Sequence, residues 1–102
     1  MSKQKWNIKD MIGGWFIGDF TPSVIRTKQF EICYKFHHKG EQWAKHYHKV
    51  ATEITFLIRG KLKINDVVYN SGEIWVQEPM EIADPEFLED CELIAIKFPS
   101  VM

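Results

Sequence analysis

The chain has 102 residues, 45% hydrophobic and 14% aromatic, which suits one globular unit and excludes a disordered segment. Its 13 basic and 14 acidic residues give a formal net charge of −1 with no concentrated basic face, which excludes nucleic acid as a main partner. No apolar run reaches the roughly 20 residues of a membrane helix, and the first residues lack a secretory-signal pattern, so the expectation is cytoplasmic residence and no membrane partner.

In chain order, the first expected element is one short helical turn over residues 7–12. Residues 14–20 (Gly-Trp-Phe-Ile-Gly-Asp-Phe) follow as a patch of large apolar side chains, more than a small barrel can bury. Residues 30–36 alternate as a half-buried strand, with Phe30, Ile32, Tyr34 and Phe36 on one face. Residues 53–58 alternate likewise, with Glu53, Thr55 and Leu57 facing one way and Ile54, Phe56 and Ile58 the other. Residues 61–64 and 67–69 flank Asn65-Asp66 as a tight hairpin. Residues 73–77 form the next strand, and the nearly continuous apolar run 93–98 reads as a buried strand. Turn signals such as Gly13-Gly14, Lys39-Gly40, Arg59-Gly60 and Asp84-Pro85 punctuate these segments, so the fold class is all-β, a sandwich or barrel. Cys33 and Cys91 match no metal or redox spacing and read as buried free thiols.

Chemistry concentrates between residues 46 and 53. His46 and His48 are two apart, so on a strand both imidazoles share one face with Tyr47 opposite. Two neutral imidazoles form half of a transition-metal site. Glu53 opens the next strand and adds a hard anionic donor. Such a set leaves coordination positions open for water or a ligand. His37 and His38 precede Gly40. Strand alternation turns at most one of them inward, and both read as surface histidines near a turn. Trp43, Tyr34, Thr55, Leu57 and Trp75 are candidates for a cavity wall or for ordinary core packing.

This stretch resembles the first motif of the cupins: Gly, five residues, His-x-His, three or four residues, Glu, six residues, Gly. Gly40, His46, His48, Glu53 and Gly60 occupy every fixed position at the required spacing. The resemblance implies a double-stranded β-helix, or jelly-roll barrel, of the RmlC-like kind. It implies a single domain over residues 1–102, with an N-terminal arm to about residue 20 and a barrel over about 21–99. It also implies that His46, His48 and Glu53 ligate a divalent metal (iron, manganese, zinc or nickel), and that two copies pair as a homodimer through an N-terminal strand.

The second cupin motif departs from the pattern. Six residues instead of five separate Gly72 from Pro79, Met80-Glu81 stand where x-Gly is expected, and Asp84 takes the place of the usual fourth ligand, a His. Asp84 is then either that ligand or a turn residue before Pro85; otherwise the fourth position belongs to water, or the site has decayed. Glu78 and Glu81 are weaker candidates that face solvent. Three functions stay open: a small metalloenzyme acting on a carbohydrate or carboxylate, a non-catalytic module that binds or senses a small molecule or metal, and a metal-free dimeric scaffold. Catalytic residues beyond the metal set are not assigned.

Overall fold

The computed structural model describes residues 3–100. Two single turns of 3-10 helix come first, Ile8–Asp10 and Ile12–Gly14. Asn7 caps the first, its side-chain oxygen accepting from the Lys9 N–H at 2.9 Å. Eight strands follow: β1 (Trp15–Ile17), β2 (Glu31–His37), β3 (Thr52–Arg59), β4 (Lys61–Ile64), β5 (Val67–Asn70), β6 (Ile74–Gln77), β7 (Pro85–Phe87) and β8 (Cys91–Phe98). They form a five-stranded sheet in the order β1-β2-β8-β3-β6 and a three-stranded sheet in the order β5-β4-β7. Every strand pair is antiparallel. The two sheets face each other as an all-β jelly roll. None of the described helices is long and apolar enough to cross a membrane.

The alternation expected over 30–36 and 53–58 is present, and its register shows which face lies inside. Residues directly opposite on antiparallel strands share a face. The inner row nearest the functional site is Glu31–Lys97–Glu53–Gln77, across β2, β8, β3 and β6. The next inner row is Cys33–Ala95–Thr55–Trp75. The apolar residues between these two rows, Ile32, Ile96, Ile54 and Val76, point outward. The core proper is a small cluster of Cys33, Leu57, Leu62, Phe87, Cys91, Leu93 and Ala95. Trp75 stacks on Tyr69 beside it, ring centroids 4.0 Å apart.

Residues 14–20 do not form an exposed patch. Trp15 enters the cavity wall, while Phe16, Ile17 and Phe20 are half-buried. Residues 23–27 fold back over this segment: the Val24 N–H donates to the Phe16 carbonyl at 2.8 Å, and Ile17 bridges Ile25. Both cysteines are buried and free. Cys33 lies opposite Ala95 and Cys91 opposite His37, so the thiols stand four residues apart along the same strand pair, about 13 Å at strand spacing. Burial pushes the Cys33 thiol up to about 11 and raises that of Cys91.

Candidate metal and ligand site

The segment carrying the two histidines is not a regular strand. It runs extended beside β7 and the residues before it, held by isolated bridges from Gln42 to Glu86 and from His46 to Ala83. The His46 N–H donates to the Ala83 carbonyl at 3.0 Å, and the Ala83 N–H returns the bond at 2.9 Å. The Met80 N–H donates to the His48 carbonyl at 2.7 Å. This pairing has the consequence that strand period predicts: His46 and His48 both line the cavity, and Tyr47 is exposed.

The cavity has a volume of about 240 Å³. Its polar side carries His46, His48, Glu53, Lys97 and Gln77, and Trp15, Trp75 and Phe87 supply apolar surface. Glu53 sits directly opposite Lys97, and Lys97 directly opposite Glu31. Lys97 Nζ lies 3.1 Å from Glu31 Oε1, with the Glu31 side chain fully buried. Among the described residues neither Glu31 oxygen receives a hydrogen bond, so it is the ion pair with Lys97 that offsets the desolvation of that carboxylate. Because Lys97 is engaged there, Glu53 is left facing His48, whose Nε2 is 3.5 Å from Glu53 Oε1.

His48 Nε2 is buried and has no hydrogen-bond partner among the described residues. Burial holds its pKa below the ordinary imidazole value; Glu53 acts the other way, and Lys97 and His46 add to the lowering. The neutral imidazole this favours is the form that ligates metals. The His46 ring lies 5.6 Å from that of His48, centroid to centroid. Its Nδ1 is 3.3 Å from the Ala44 carbonyl, an arrangement in which Nδ1–H donates and Nε2 keeps its lone pair.

Asp84 is not part of this site. Ala83 is directly opposite His46 and lines the cavity, so strand alternation turns the Asp84 side chain to the outside. Asp84 is exposed, and its N–H and carbonyl are both bonded to Asn65, at 3.1 and 3.3 Å. It therefore acts as the turn residue, and the interior corner expected for a fourth ligand holds an alanine methyl. Glu78 and Glu81 are exposed, as expected.

The wall candidates divide. Trp43, Thr55 and Trp75 line the cavity, and Leu57 is core. Tyr34 lies on the outer face, where its hydroxyl donates to Glu92 Oε2. His38 is exposed, but His37, expected at the surface, is buried in the cavity wall. The sequence signal for it was available: His37 continues the parity of Glu31, Cys33 and Lys35, the inward-facing set of β2.

These donors suit a divalent ion, since His48 offers an orphaned buried nitrogen beside a carboxylate. They do not form a closed cage. Among the described residues, no three His, Cys, Asp or Glu side chains converge tightly enough to enclose a metal ion as they stand. The fit is that of an open half-site.

KdgF from Halomonas sp. superposes with a TM-score of 0.69 at 17% identity, over 76% of this chain and 77% of that one. An uncharacterized conserved protein with a double-stranded β-helix domain from Klebsiella pneumoniae gives 0.69 at 16% identity, over 95% and 85%. A cupin-2 domain protein from Shewanella frigidimarina gives 0.60 at 15% identity, over 74% and 76%. No protein-family model matches the sequence, and no curated protein matches it. At these identities the likeness concerns architecture alone: the chain has the double-stranded β-helix, or jelly-roll, fold that these cupin structures share.

Proposed function

We propose that this cupin domain binds a small polar molecule in its cavity, beside a divalent metal ion held by His46, His48 and Glu53. The observation that carries this reading is His48 Nε2, buried without a hydrogen-bond partner among the described residues and 3.5 Å from Glu53 Oε1. A buried nitrogen left unpaired is costly, and a bound cation would give it a partner. His46 would supply the second nitrogen and Glu53 the negative charge. The ion would act there as a Lewis acid with open positions. Lys97, Gln77, Thr55 and the tryptophans of the wall would orient the ligand, which suits a carbohydrate or a carboxylate.

Zinc titration by calorimetry, with metal analysis of the purified protein, tests the set. His46→Ala and Glu53→Ala should each lower zinc affinity by about tenfold or more, with unchanged circular dichroism. Full metal content in both variants would overturn the assignment. Turnover of a candidate substrate, lost on chelation, would make the domain a metalloenzyme; binding without turnover would make it a sensing or carrier module. We also propose that the chain works as a homodimer, paired through the outer face of the five-stranded sheet.

A further inference from the structure

The wall of the same cavity carries a second polar group, which the first cupin motif does not include. It is centred on His37, at the end of β2, six residues beyond the fully buried Glu31. His37 is only 6% exposed. Its ring stacks on Phe87, centroids 4.2 Å apart and planes 20° apart, and meets the edge of Trp43 at 5.1 Å. Two aromatic contacts at nearly perpendicular planes leave the ring little rotational freedom.

One edge of this ring is fixed by a carboxylate. His37 Nδ1 is hydrogen-bonded to Glu41 Oε2. The same oxygen accepts from Trp43 Nε1–H at 2.8 Å. The hydrogen bond from His37 holds the Glu41 carboxyl below its usual range, with Trp43 adding to the effect against partial burial. An ionised carboxylate only accepts, so Nδ1 carries a proton, and whenever the ring is neutral its lone pair lies on Nε2. Glu41 is not part of the cavity wall, whereas His37 is. Nε2, on the ring edge away from Glu41, is not among the fully buried unpartnered atoms, which points to this edge as the one that meets the cavity. Among the described residues, Nδ1 makes the ring's only hydrogen bond.

We infer that His37 is a ligand-contacting residue whose neutral ring presents Nε2 to the cavity as a hydrogen-bond acceptor, with Glu41 as its positioning residue, and that it selects small molecules bearing a hydrogen-bond donor, such as a hydroxyl group, at this position. A free histidine would offer either a donor or an acceptor. Locking the tautomer removes the choice, so a ligand that offers only an acceptor at this position leaves two lone pairs facing each other and is rejected. The inference deepens the proposed small-molecule binding, but it does not depend on the metal.

Two measurements test it. Nitrogen-15 NMR of the imidazole rings should show neutral His37 in the wild type almost wholly as the Nδ1–H tautomer. Glu41→Gln should shift it to a mixture of the two tautomers. An Nε2–H tautomer in the wild type, or unchanged populations in Glu41→Gln, overturns the inference. If that variant fails to fold, the wild-type spectrum decides alone. Diethyl pyrocarbonate, which acylates unprotonated imidazole nitrogen, then probes access from the cavity. Mapped by mass spectrometry, the folded protein should be modified at His37, with or without zinc, while zinc protects His46 and His48. Modification of His37 only after unfolding overturns the inference. Failure of zinc to protect His46 and His48 would instead sink the metal reading and leave His37 standing.

Discussion

At the scale of single residues, the arrangement around Lys97 decides whether Glu53 is free to ligate. Lys97 lies in register between two carboxylates, Glu31 and Glu53, on the inner face of the sheet. A buried ammonium must be paired, and it takes Glu31 at 3.1 Å. Removing the charge of Glu31 leaves Glu53 as the nearest alternative. Glu31→Gln, similar in shape but neutral, should therefore draw Lys97 to Glu53. Zinc affinity, measured by calorimetry, should fall by about tenfold although no ligand has been touched. Unchanged affinity would show that Glu31 has no hold on the site. Nothing in the sequence near Glu31 signals this role, because it depends on pairing with Lys97, more than sixty positions away. His46, His48 and Glu53 were legible because their spacing is local. Asp84 was misplaced for the converse reason: counting from Pro79 ignores the pairing with His46, which gives the interior position to Ala83.

At the scale of elements, the two glycines that frame the first motif have different tasks. Both have positive φ, +79° at Gly40 and +108° at Gly60. A Cβ at Gly40 would meet nothing within 4 Å, so Gly40→Ala should cost only the left-handed backbone penalty, about 1 kcal/mol. A Cβ at Gly60 would lie 2.3 Å from the Asp90 carbonyl oxygen and 2.8 Å from Cys91 Sγ. Those atoms belong to the entry of β8, which pairs with both β2 and β3 and cannot shift cheaply. Gly60→Ala should therefore cost about 3 kcal/mol or more. Urea denaturation of the two variants checks the ranking, and equal losses would refute it. Strand period located most of the barrel strands within a residue or two, because alternation is a local property. It missed β1 and β7, each three residues long, which exist only through their partners β2 and β4.

For the whole molecule, the distribution of apolar surface is the feature that sequence patterning leaves undetermined. Alternation divides a strand into two faces but does not say which lies inside. Here the interior row holds Glu31, Lys97, Glu53 and Gln77, while the outer face carries Ile32–Ile96–Ile54–Val76 and Tyr34–Ile94–Phe56–Ile74 in register. Several of these residues are well exposed, Ile74 at 63% and Val76 at 47%. A cavity lined with polar groups displaces apolar residues outward, and a face of this kind calls for a cover. A second copy suits it, because the two rows hold no charge and a twofold pairing would set apolar surface against apolar surface. The charges stay at the margin, where Arg59 and Glu92 pair at 2.8 Å. Sedimentation should therefore find a dimer at micromolar concentration. Ile74→Lys places two like charges within such an interface, at a cost of several kcal/mol, and should give a folded monomer. A wild-type monomer at that concentration would remove the dimer. A dimer that survives Ile74→Lys would move the interface to another face.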